Sequence, residues 1–161
     1  MSEVLLKRAG HAPMSRTLAL GIVITDVAFS LYWVLSAAYL LGIVHVPDAY
    51  LFSGYHDRHL VAWNWSFLPL DLAATAFGAW AILASRRQGE WRTLAAVSLA
   101  LWSTAGGMAV AYWTLMGEFD PSWFLPNLLV FVWPLFFLPN LVRAPTSSLR
   151  FRSSGRIFRP L

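Results

Sequence analysis

The chain has 161 residues, of which 58% are hydrophobic and 12% charged, with a mean hydropathy of +0.56; a soluble globular domain carries about 25% charged residues. This balance excludes a water-soluble domain, and the absence of cysteine excludes disulfides, thiolate metal sites and cysteine nucleophiles. The net charge of +4 and the isoelectric point near 10.0 are a question of topology, taken up below, and do not point to a nucleic-acid partner.

A helix that crosses a bilayer needs about 20 mainly apolar residues at ~1.5 Å rise each, and four stretches qualify. Residues 1–16 form a short segment with Lys7, Arg8 and Arg16. The first predicted span covers 17–44. It is too long for the core of a signal peptide and no cleavage site follows it; its excess length permits tilt or a protruding end. Near its middle, in VITDVAFSLYW, lies Asp26. The connection HVPDAYLFSGYHDRHLVA, residues 45–62, is rich in aromatics and histidine and reads as a lid or a short helix lying at the interface.

The second span, 63–85, contains NWSFLPLDL, which sets Pro69 and Asp71 in an otherwise apolar run. A short connection from Arg86 to Arg92 makes spans two and three a tight hairpin. The third span, 93–116, carries Ala105, Gly106, Gly107, Ala109 and Ala111, small residues that allow close helix packing within the chain or across a dimer. After GEFDPS comes the fourth span, 123–142. The tail 144–161 holds Ser, Arg, Gly and Pro without apolar periodicity; it reads as disordered, with Phe151 and Phe158 reaching into headgroups.

Eleven of the twelve basic residues fall on one side of these spans. Arg58 alone lies on the other, with Asp48, Asp57, Glu118 and Asp120. The positive-inside rule then makes both termini cytoplasmic. The reading is an all-α, integral membrane four-helix bundle of the bacterial cytoplasmic membrane. LYW at 31–33 has an echo in AYW at 111–113, and FLP at 67–69 recurs at 124–126. Two related helical hairpins would give this; so would coincidence, since FLP also occurs at 137–139.

A charged aspartate at the centre of a membrane helix costs ~2.5–3.5 kcal/mol on insertion scales. It must face protein or water, find a partner or stay protonated. On adjacent antiparallel spans Asp26 and Asp71 are offset by about 10 Å, close enough to line one cavity. Asn64, Asp71, Thr75 and Gly78 share one helix face, and Asp26, Ser30, Trp33 and Ala37 share another. Pro69 removes a helical hydrogen bond just before Asp71. The candidate ligand site is therefore Asp26 and Asp71, with Asn64 and Asn127 near its outer end, Thr75 beside Asp71, and Trp33, Trp63 and Trp133 as walls. No Lys or Arg sits inside the membrane to neutralise the acids, so a cationic ligand, a proton or a metal ion is the natural partner.

Other chemistry is thinly represented. His45, His56 and His59 lie in a wet loop, whereas a zinc site needs three or four ligands on a rigid frame; no metal site is expected. No G-x-S-x-G, H-E-x-x-H or P-loop occurs, so no catalytic residue and no cofactor is expected either. Three functions remain open. The first is a binding module whose intramembrane cavity takes a lipophilic, cationic or sterol-like small molecule. The second is a small proton-coupled transporter or oligomeric exporter that uses an intramembrane Asp. The third is a structural or accessory subunit, a homo-oligomer in one form, whose acids hydrogen-bond neighbouring helices and glue the bundle.

The segments DVAFSLYW, WNWSFLPLDL and PNLLVFVWPLFF resemble the YvaD-like family of small bacterial membrane proteins, over residues about 23 to 140. The resemblance implies a four-helix membrane protein and assigns no activity. More distantly, the architecture is similar to the emopamil-binding and sigma-2-receptor (EXPERA) group. That likeness implies lipophilic amines or sterol-like substrates, with Asp71 where the group carries an acid in its second helix. Asp26 lies deeper than the group's first-helix acid, and no intramembrane histidine matches its isomerase pattern. The residues therefore do not favour isomerase chemistry, and an enzyme acting on a lipid stays open through this distant likeness alone.

Overall fold

The computed structural model describes residues 13–52, 54–87 and 90–143. The expected N-terminal segment up to residue 12 and the expected disordered tail over 144–161 lie outside the described residues. Among the described residues none is in a strand, and four helical elements are long and apolar enough to cross a membrane. The chain is an all-α, multi-pass membrane protein.

Helix α1, Arg16–Leu40, starts where the Ser15 hydroxyl accepts the Leu18 amide at 3.2 Å. It stops short of Val44 because Gly42 takes a left-handed φ of 69°, a conformation that closes a helix at little cost only in glycine. The amides of Ile43 and Val44 turn back onto the Ala38 carbonyl. A single 3₁₀ turn, Asp48–Tyr50, interrupts the loop that follows. Helix α2, Arg58–Trp65, is capped by the Asp57 carboxylate, which accepts the His59 amide at 2.7 Å. Helix α3, Leu68–Arg86, continues it after a joint at Ser66 and Phe67. Together α2 and α3 make the second membrane element, 29 residues from Arg58 to Arg86. The short helix expected in the loop is thus the part of this element next to the long loop. Pro69 accounts for the joint: it lacks the N–H that would bond back to Trp65; just before it the Phe67 amide tightens onto the Asn64 carbonyl at 3.1 Å and the Ser66 hydroxyl donates to the Trp63 carbonyl at 2.6 Å.

Helix α4, Trp91–Met116, is unbroken and ends at Gly117, again at positive φ. Helix α5, Pro121–Val132, is capped by Asp120, whose carboxylate takes both the amide and the hydroxyl of Ser122. A 3₁₀ turn, Trp133–Phe136, and the short helix α6, Leu138–Val142, complete the fourth element. Pro134 and Pro139 each remove a helical donor, which is why this element is segmented. The Ser103 hydroxyl donates to the Phe131 carbonyl at 2.9 Å, just where α5 gives way to the tighter turn.

Helix α4 is central: it packs against α3 on one side and the α5–α6 element on the other, while α1 packs on α3. The close α4–α5 contact runs over Gly106, where an added Cβ would lie 2.6 Å from the Asn127 carbonyl oxygen and the Phe131 nitrogen. The small residues of the third span therefore serve packing within the chain at this point. One buried cluster gathers Leu18, Ile22, Ala81, Trp91, Ala95, Leu99 and Leu141 at the end opposite the long loop. The outer surface is apolar, with Val23, Ile24, Val27, Leu31 and Val34 of α1 all exposed. A soluble protein does not leave such a face bare; lipid tails cover it.

Candidate functional site

Asp71 stands one turn into α3 and is 3% exposed. Its Oδ2 accepts a hydrogen bond from the Trp33 indole N–H of α1 at 3.0 Å. Its Oδ1 is buried and has no partner among the described residues. A carboxylate can accept about four hydrogen bonds, so this one is under-satisfied where unpaired polar groups are costly. Asp71 is one of the residues that line a cavity of about 230 Å³. Phe29, Tyr32 and Trp33 of α1, Trp63 of α2, Phe67 at the joint, Trp113 of α4 and Trp123 of α5 form the walls, and Phe52 reaches in from the long loop. Two amides complete the lining. Asn64 Oδ1 accepts the Tyr32 hydroxyl at 2.8 Å, and Asn127 Nδ2 donates to the Trp123 carbonyl at 2.7 Å. Among the described residues no Lys or Arg lines the cavity.

Phe52 is a loop residue only 6% exposed. Its ring centroid lies 5.9 Å from that of Trp123 and 6.5 Å from that of Trp113. Trp63 stacks on Tyr112 at 4.1 Å, which fixes the α2–α4 contact at the same level.

Five of the eight expected site residues line this cavity: Asp71, Asn64, Asn127, Trp33 and Trp63. Asp26, Thr75 and Trp133 do not. Asp26 is buried, but its Oδ1 accepts the Trp102 indole N–H of α4 at 3.0 Å. Its Oδ2 rests on α3 at Gly78, where an added Cβ would fall 2.5 Å away. Depth explains the separation. Asp71 binds Trp33, and Asp26 is seven residues from Trp33 along α1, about 10 Å towards the other end. Ser30, expected on the same face, is exposed, because the buried stripe of α1 comprises Leu18, Ile22, Thr25, Asp26 and Trp33 and its centre lies roughly a quarter turn from Ser30. Trp133 covers Gly21 near the opposite end of α1, where an added Cβ would meet its ring at 2.8 Å.

Trp102 is the residue that the reading of the sequence missed. The signal was present: it lies mid-span, away from the interfaces where tryptophan usually sits, and a buried indole N–H needs an acceptor. Phe52 carries no such signal. In the loop, His56 pairs with Asp48 at 3.5 Å and both are exposed. Among the described residues no group of three or more His, Asp or Glu is placed to hold a metal ion.

Residues 18–148 match the model of a family of unknown function, DUF5360. The chain belongs to that family. The uncharacterized protein YvaD of Bacillus subtilis (strain 168) is 34% identical to this DUF5360 member over 129 residues, 80% of this chain and 93% of the relative. The expected YvaD-like membership is thereby borne out. No solved structure matches this DUF5360 chain.

Proposed function

We propose that this protein is a binding module of the bacterial cytoplasmic membrane whose cavity takes a lipophilic cationic small molecule against Asp71. Both termini are cytoplasmic in this proposal, following the distribution of Lys and Arg, and the cavity then lies in the outer half of the bilayer. One observation carries the reading. Asp71 lines an aromatic cavity with no basic side chain among its described lining residues, and one oxygen of its buried carboxylate has no partner among the described residues. An unmade bond of this kind costs about 1–3 kcal/mol, and a ligand ammonium would supply the missing donor. Ring faces add attraction for the same cation. Asp26 supports the structural alternative for itself alone: its Trp102 bond and its seat on Gly78 suit a group that joins α1, α3 and α4.

Cyclohexylmethylamine and cyclohexylmethanol have nearly the same shape and differ in charge. The amine, and not the alcohol, is expected to stabilise the wild type in micelles. Asp71→Asn keeps the volume and an acceptor for Trp33. It is expected to fold and to weaken the amine by ~2–5 kcal/mol, at least about thirtyfold. Equal stabilisation by both compounds, or undiminished amine binding by Asp71→Asn, would refute the proposal.

A further inference from the structure

A second cavity adjoins the first. It measures about 240 Å³ and lies between the outer end of α1 and the long loop. Leu35, Ser36 and Tyr39 of α1 form one wall, and Val46, Leu51 and Tyr55 of the loop the other. The two chambers share three lining residues, Tyr32, Phe52 and Trp123. These make the partition: the ring centroids of Tyr32 and Phe52 each lie 5.9 Å from that of Trp123. Two of the three side chains stand on helices. Phe52 is held by a loop that contains Gly54 at a positive φ of 73°.

The chambers differ in chemistry. The first contains a carboxylate and two amides; the second is lined by aromatic rings, aliphatic side chains and hydroxyls, with no charged group among the described residues. Neither alone reaches the ~300 Å³ at the small end of small-molecule sites, and the two joined pass it. Among the described residues no Lys or Arg lines either chamber, which disfavours a phosphate-bearing headgroup.

We infer that the two chambers form one bipartite site for a single-chain amphipathic amine: the ammonium sits at Asp71, and the hydrocarbon chain passes Phe52 into the Leu35–Tyr39–Val46 chamber. This rests on the Asp71 reading above and adds the ligand's shape and its specificity-determining wall. Length follows from the geometry. Trp33 binds Asp71, and Tyr39 is six residues further along α1, about 9 Å, which suits a chain of about seven or eight methylenes.

The test uses n-alkylamines from ethylamine to dodecylamine with the full chain in phosphatidylcholine nanodiscs. Binding is read from tryptophan fluorescence and referenced to empty nanodiscs, so that partition into lipid cancels. Wild-type affinity is expected to rise with chain length to about octylamine and then level, by up to about fourfold per methylene. Val46→Trp and Ser36→Phe each put a ring into the second chamber, and are expected to cut the ratio of octylamine to butylamine affinity at least tenfold. Binding of butylamine by either variant certifies its fold, and two variants on different walls guard against the failure of one. An unchanged ratio in both variants, while Asp71→Asn still weakens butylamine, overturns the bipartite site and leaves the Asp71 reading standing. Failure of every amine to bind the wild type, or indifference of butylamine to Asp71→Asn, overturns both.

Discussion

Gly106 and Gly107 are neighbours on α4 that test the central packing contact against each other. In Gly106→Ala the new methyl would lie 2.6 Å from two backbone atoms of α5, the Asn127 oxygen and the Phe131 nitrogen, and 3.1 Å from the Phe131 Cα. In Gly107→Ala its nearest neighbours are atoms of the Phe131 ring, at 3.0 and 3.2 Å. Both changes gain the helix propensity of alanine over glycine, about 0.8–1.0 kcal/mol. Their steric costs differ. A ring can rotate by a few tenths of an ångström. Helix α5 cannot, because reaching ordinary contact means moving its backbone from 2.6 Å to 3.4 Å against Ser103, which binds the Phe131 carbonyl. Overpacking of this kind costs about 1–3 kcal/mol, and two backbone contacts place Gly106→Ala at the upper end. After the propensity gain, Gly106→Ala is expected to be about 2 kcal/mol less stable than wild type, and Gly107→Ala near neutral. For a chain of this size that corresponds to about 4–8 °C in Tm. Thermal unfolding in micelles, followed by tryptophan fluorescence, measures it. Because Asn127 lies both against Gly106 and on the cavity wall, Gly106→Ala is also expected to weaken amine binding. If the two variants melt within about 1 °C of each other, the α4–α5 contact is not as tight as the geometry requires and the reasoning fails.

Trp102→Phe deprives Asp26 of its indole donor and is expected to cost about 1.5–3 kcal/mol. The double variant Trp102→Phe/Asp26→Leu, which removes both polar partners, is expected to recover most of that loss. Equilibrium unfolding of the singles and the double checks this, and simple additivity would contradict it. Asp71→Asn is expected to be at least as stable as wild type, since an amide costs less to bury and still accepts from Trp33; Asp71→Ala, which leaves that indole N–H unpaired, is expected to lose about 1–3 kcal/mol. The reverse order of melting temperatures would make Asp71 a structural charge. For topology, single cysteines in this cysteine-free chain at Glu118→Cys and Ser154→Cys are expected to label from opposite faces with an impermeant thiol reagent. Labelling of both from one side would reject the arrangement derived from the basic residues.

What the amino-acid sequence determined by itself was the class of molecule. Apolar runs near bilayer length need no partner to be recognised, because the lipid supplies the same pressure on every residue. Four membrane elements and the burial of Asp26 and Asp71 were legible for that reason, as was the disruption of the second span by Pro69, a property of one covalent ring. Family membership followed from short segments such as WNWSFLPLDL. The division of labour between the two acids was not legible. Asp26 and Asp71 have the same side chain in similar apolar surroundings; their difference lies in what another helix brings to them. Trp102 and Gly78 close around Asp26, whereas Asp71, held through one oxygen by Trp33, lines the cavity and has its other oxygen unpartnered among the described residues. Helical periodicity gives the face on which a residue stands but not the rotation and depth of its neighbour, and a seven-residue offset on α1 was enough to remove Asp26 from the site. Phe52 is the same case in a loop: nothing local distinguishes it from Tyr50 or Tyr55, and only the return of the chain over α4 and α5 puts its ring between two chambers.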